Sequence, residues 1–287
     1  MAGLFDSIAD WFRGLLVDGI KSNFSGMFNE VNQKTGEIAS QVGQTPLGWN
    51  ADIFNLVRNL SETVVIPIAG MILTFVLCYE LITMVIERNN MHDFDTFVFF
   101  KWIFKTFVAV YILTHTFDIV MGIFELAQHV VNNSSNLIRG SLDMDLAMTN
   151  LDSELAAMQN GELIGLYIES LILSFAMKAM SLCIFIIIYG RMLEIYLTVS
   201  IAPIPFSTMI NREWGSIGNG YLKSLFALAF QGFLIMVCVA VYAILLQGIT
   251  SGSNIHLAIW SCAGYTFLLC FMLFKCGSIS KSIFGSH

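Results

Sequence analysis

GRMLEIYLTVSIAPIPFSTMINREWGSIGNGYLKSLFALAFQ, residues 190–231, holds two long apolar runs separated by a proline-rich break. The first run closes in Ala202-Pro203-Ile204-Pro205. A polar link follows with Asn211, Arg212, Glu213, Trp214, Gly215, Gly218 and Gly220, and the second run opens near Leu222. Two prolines two residues apart remove two backbone donors and disfavour helix in the residues before them. Within a bilayer such a break persists only where protein or a water-filled cavity satisfies the freed carbonyls. The link is therefore expected to face other protein.

The composition around this stretch points the same way. Of 287 residues 56% are apolar and only 12% charged, against about a quarter charged in soluble domains. The fold class expected is all-α: a polytopic helical membrane protein with five or six transmembrane spans and an N-terminal amphipathic helix. A transmembrane β-barrel needs alternating segments of about ten residues, and the apolar runs here are continuous and longer. The six cysteines lie in or beside apolar runs without a CxxC pair, which suits packing better than disulfide or zinc ligation. A net charge of −7 offers no basic surface for tight nucleic-acid binding. Phosphate-loop, HExxH and GxSxG motifs are absent, so neither an enzyme nor a cofactor or metal site is expected. Asp6 and Asp10 stand where a cleavable signal carries basic residues.

In chain order, residues 1–50 read as an amphipathic helix and linker. Ile8, Trp11, Phe12, Leu15, Leu16, Ile20, Phe24, Met27 and Val31 recur at steps of three and four, with a bend expected near Gly19 or Gly26. Its balanced polar face favours packing on protein over anionic lipid. Residues 32–50, with Gly36, Gly43, Pro46 and Gly48, read as the linker. Residues 51–126 carry two spans, near Thr63–Ile86 and Trp102–Phe124. The loop between them holds Arg88, His92, Asp93 and Asp95. Residues 127–162 form an extramembrane polar segment with a turn at Asn132–Asn136 and one or two short amphipathic helices. Residues 163–287 are the C-terminal membrane helices, including the proline-broken span, the Trp214 link and a last pair near Leu225–Gln247 and His256–Phe274.

Hydropathy counts six crossings if residues 161–210 turn back near Arg191 and Glu194. Charge counts five. With five, Arg88, Lys101, Lys105, Arg212, Lys223, Lys275 and Lys281 all share the cytoplasmic side. The N-terminus and the acidic 127–162 segment, whose only base is Arg139, then lie outside and the C-terminus inside. Five is the favoured reading, with the proline break re-entrant or interfacial.

Several polar residues interrupt the apolar runs. His115, Asp118, Gly122, Glu125 and His129 share one helical face. They read either as a protonatable or metal-binding stripe or as the polar end of a span entering the headgroups. Lys178 sits within Ser174–Ile188, where an ammonium faces a bundle interior or partner unless it snorkels. Glu80 and Glu169 raise the same question nearer span ends. Arg191 and Glu194, at i, i+3, are expected to pair with each other. Gly161-x-x-x-Gly165 and Ser170-x-x-x-Ser174 permit close helix approach.

From Ala202-Pro203 to Gln231 the sequence resembles the TrbL-type polytopic membrane subunits of conjugative type IV secretion systems. The overall plan is similar as well: amphipathic N-terminus, two spans, polar extracytoplasmic segment, hydrophobic C-terminal half. The compact length is most similar to versions on mobile elements of Gram-positive bacteria. The resemblance implies an oligomeric translocation-channel or scaffold subunit of the cytoplasmic membrane, through which a relaxase-bound DNA strand leaves the cell. Its partners would be copies of itself, secretion ATPases, a bitopic scaffold subunit and the lipid bilayer. By position Pro203 matches the family's span break and Trp214 its loop tryptophan. Pro205, Gly215, Gly218, Lys178, Arg191, Glu194, His115 and Asp118 complete the assembly and channel candidates. The alternative is a secondary transporter or ion channel built on Lys178, His115 and Asp118.

Overall fold

The computed structural model describes residues 2–87, 96–135, 144–248 and 255–286. Arg88, His92, Asp93 and Asp95, the Asn136 end of the predicted turn, and Arg139 lie outside the described residues. The described chain is helical throughout, without a strand. Its helices are α1 (Ala2–Val42), α2 (Pro46–Trp49), α3 (Ala51–Leu60), α4 (Ile66–Glu87), α5 (Thr96–Thr114), α6 (Thr116–Ser135), α7 (Met144–Ala157), α8 (Asn160–Ile201), α9 (Pro203–Thr208), α10 (Gly215–Gln247) and α11 (Ile255–Phe284), with a π-helical turn at Ser61–Val65 joining α3 to α4. They form two compact units.

One unit comprises residues 1–42, 133–188 and 235–275. Here α1 buries Leu16, Ile20, Phe24, Met27, Val31, Ile38 and Val42, a stripe at helical spacing that continues past Val31. Residues 32–42, expected in the linker, are therefore helical; burying Ile38 and Val42 outweighs the cost of one glycine, Gly36, roughly 1 kcal/mol. The stripe faces protein. Arg13 donates to Asn160 Oδ1 at 3.2 Å and to the carbonyls of Leu155 and Ala156 at 3.1 and 3.2 Å. Lys21 pairs with Asp152 at 2.7 Å, and Asn23 donates to Ser170 Oγ at 2.9 Å. Gly19, where a bend was expected, instead lets the Tyr167 ring pack against the helix: a Cβ there would come within 2.6 Å of it.

The other unit comprises residues 43–132, 189–234 and 276–287. Its core joins Phe54, Phe117, Phe124, Tyr196, Phe206 and Leu225. The Tyr196 hydroxyl donates to the Pro46 carbonyl, and Trp49 meets the Tyr189 ring edge-on at 5.5 Å. The helix that carries the first span starts at Ala51, ahead of Thr63, because the Asn50 side chain accepts from Ile53 N at 3.0 Å and caps α3. The second span, expected as one helix, bends by 68° at His115. Two threonines flank the bend. Thr114 Oγ1 donates to the carbonyls of Val110 and Tyr111, and Thr116 Oγ1 to those of Ile112 and Leu113. Such back-bonding competes with the helix ladder and favours bending.

Among the described residues four helices are long and apolar enough to cross a bilayer: 51–86, 160–201, 215–247 and 259–284. The bent α5–α6 pair makes a fifth if it is one span. The six-span count needed a turn at Arg191, and α8 runs through that position unbroken for 42 residues, about 63 Å. Nothing before Pro203 interrupts its backbone ladder.

Candidate functional site

The break predicted at Pro203 and Pro205 is an elbow. Helix α8 ends at Ile201, and both prolines fall in the first turn of α9, where their missing amides leave no intrahelical bond unmade. Two of the carbonyls at this break find protein partners. Ala202 N turns back to Val199 O at 3.2 Å, and the Tyr221 hydroxyl, from α10, donates to Thr198 O. Pro203, Pro205, Phe206, Ser207 and Thr208 are all buried.

Helix α9 packs chiefly on α4, where Ile204 and the turn residue Ile210 lie against Ala69, Leu73 and Leu77. Polar groups fix the turn that follows. Asn211, only 3% exposed, accepts at Oδ1 from the amides of Glu213 and Trp214 at 2.8 and 3.1 Å. Its Nδ2 donates to Glu80 Oε2 at 3.0 Å, and Lys105 Nζ meets Glu80 Oε1 at 2.7 Å. One carboxylate on α4 thus holds both α5 and the link. Trp214 stacks on Phe75 and Tyr79, centroids 5.6 and 5.2 Å away, while Tyr79 donates to Glu213 Oε2 at 3.1 Å. Gly215 and Gly218 let α10 leave the turn in contact with α9. A Cβ at Gly218 would lie 2.5 Å from Pro205 O and run into the Met209 side chain, and one at Gly215 would lie 3.0 Å from Met209 O.

The profile of the TrbL/VirB6 plasmid conjugal transfer-like proteins matches residues 31–203, more than half of the chain. The chain belongs to this family. It is a membrane subunit of a conjugal transfer system. No curated protein and no solved structure gives a significant match. The family match takes in α8 and closes at Pro203, so the turn and Trp214 lie beyond it.

The remaining candidates in this family member take varied places. His115 is exposed at the α5–α6 bend, stacked on Tyr111 at 4.4 Å, with Nδ1 3.0 Å from the Tyr111 carbonyl. Asp118 lies 3.6 Å from Arg58, which also pairs with Glu62 at 2.8 Å and sits over the Phe117 ring. No group of three or more metal-ligating side chains occurs among the described residues. Arg191 and Glu194 do not form the expected pair. Glu194 reaches Lys281 at 3.5 Å, whereas Arg191 is 6% exposed, its Nε is without a hydrogen-bond partner, and its guanidinium rests where a Cβ on Gly232 would be. Lys178 is exposed on α8. Glu169 is held by His256 Nδ1 at 3.0 Å and by the Trp260 indole.

Lys105 and Asn211 join the site without standing out in the sequence, and Glu80 stands out there only weakly. The usable signal was the lone acid within the first span, facing a base at the entry of the second. An isolated carboxylate in an apolar run calls for such a partner. That Asn211 would share it depends on a fold-back that no local pattern encodes.

Proposed function

We propose that this chain is a non-enzymatic channel or scaffold subunit of a conjugative type IV secretion system, several copies of which help a relaxase-bound single DNA strand across the cytoplasmic membrane. The observation that carries this reading is the family match across a set of helices long and apolar enough to span a bilayer. The charge asymmetry of the loops supports five crossings with the N-terminus outside and the C-terminus in the cytoplasm. On that topology the elbow and the Trp214 link face the cytoplasmic partners, the secretion ATPases and a bitopic scaffold subunit, while the N-terminal helix and the 127–162 segment face outward ones. Glu80, Asn211 and the rings around Trp214 give the link one fixed shape to present.

Deletion of the gene from its mobile element, with complementation, tests the reading. Mating transfer should vanish on deletion and return with the wild-type chain. Trp214→Ala, at wild-type membrane levels, should lower transfer at least tenfold. Undiminished transfer after deletion refutes the function, and undiminished transfer with Trp214→Ala refutes the role of the link.

A further inference from the structure

Between Glu169 and Arg191, helix α8 carries a single charge, Lys178. Residues 170–190 extend about 31 Å along the helix, close to the hydrocarbon thickness of about 30 Å. Lys178 stands about 13 Å from the Glu169 end of this segment and about 20 Å from the Arg191 end. Around it on the same face Leu171, Phe175, Leu182 and Phe185 are exposed, Phe175 by 77%. The lysine makes no hydrogen bond or ion pair among the described residues. Even the mildest insertion scale charges about 2.5–3.5 kcal/mol for a lysine at such depth. An outward ammonium on an otherwise apolar face therefore calls for an acid on another protein.

Among the described residues Glu125, within an apolar helix, has the complementary deficiency. Of the carboxylates on apolar helices, Glu80 is held by Lys105 and Asn211, Glu169 by His256 and Trp260, and Asp118 lies beside Arg58. Glu125 on α6 is exposed and has no ion pair or hydrogen bond among the described residues. One turn before it Gly122 opens the same face, with nothing within 4 Å of where its Cβ would stand, and Leu126 beside it is 61% exposed.

We propose that the Lys178 face of α8 docks on the Glu125 face of α6 in a second copy of this chain, with the ammonium against the carboxylate and Gly122 admitting the close approach. The contact joins two different faces, so each copy offers both and the arrangement propagates from copy to copy, closing where the rotation allows. This inference rests on the membrane-subunit reading above. It is read out by association rather than by DNA transfer, so the two can fail separately.

The experiment uses two differently tagged full-length copies co-expressed in one membrane and co-purified in nanodiscs. Lys178→Glu or Glu125→Lys in both copies should lower co-purification at least tenfold. A Lys178→Glu copy expressed with a Glu125→Lys copy should recover at least half of the wild-type yield, because both junctions between unlike copies, the charge-swapped one and the native Lys178–Glu125 one, are then attractive. The neutral variants Lys178→Met and Glu125→Gln, which remove charge from apolar faces and so insert readily, should each weaken association. Combining them should weaken it no further than either alone. Wild-type co-purification by the reversed or neutral single variants overturns the proposal. So does a complementary mixture that, at normal membrane levels, does no better than either reversed variant alone.

Discussion

Gly218→Ala, compared with Gly220→Ala, measures how tightly α10 is held to the elbow. Both glycines lie in the first two turns of α10, so alanine at either gains similar helix propensity, up to about 1 kcal/mol. Their surroundings differ. A Cβ at Gly220 meets nothing within 4 Å, whereas one at Gly218 stands 2.5 Å from Pro205 O, where ordinary contact begins at 3.4 Å. The Met209 side chain can swing away, but the Pro205 carbonyl belongs to the backbone of α9, so α10 must move by about 0.9 Å or α9 must shift from α4. Overpacking of this kind costs about 1–3 kcal/mol, and a backbone obstacle sets it at the upper end. The propensity gain cancels in the comparison, leaving a gap of about 3 kcal/mol. At about 2–4 °C per kcal/mol, Gly218→Ala should melt about 6–12 °C below Gly220→Ala. Thermal unfolding of the two variants in one detergent, followed by fluorescence-detected size exclusion, reads the gap directly. Equal melting temperatures refute the close approach of α10 to α9.

Glu80→Ala leaves Asn211 Nδ2 and Lys105 without their shared acceptor. A hydrogen bond to a charged group contributes about 1.5–3 kcal/mol, and the partial exposure of Lys105 puts the loss at the low end. Amide exchange across residues 209–214 should then quicken at least tenfold. Glu62→Ala, which removes only an exposed pair with Arg58, serves as the control, and equal exchange in the two variants contradicts the role given to Glu80. Arg191→Met removes a buried guanidinium without a hydrogen-bonding partner at Nε. Replacing such a charge by an apolar chain of similar volume should stabilise the protein by about 1–4 kcal/mol, seen as a higher melting temperature; a fall of several degrees means that Arg191 is paired after all.

The sequence by itself determined the class of this protein and the position of its main interruption. Long runs with few charges can satisfy their backbone in lipid only as helices, and two prolines two residues apart can end a helix whatever surrounds them. The amphipathic stripe of α1 was equally legible, because burial on one side imposes a period of three to four on Leu16, Ile20, Phe24, Met27 and Val31. The sequence could not state how far each helix runs. Gly36 and the Arg191–Glu194 pair are weak punctuation that neighbouring burial overrides, while the bend at His115 breaks a span that hydropathy draws straight. Only the tertiary structure decided which polar groups meet. Glu80, Lys105 and Asn211 are joined across 131 positions of chain, and Glu194 turns to Lys281 rather than to its neighbour on the helix. Spacing along a helix fixes which side chains share a face; the choice of partner belongs to the fold-back, because hydrogen bonds and ion pairs are satisfied by whatever packing brings within reach.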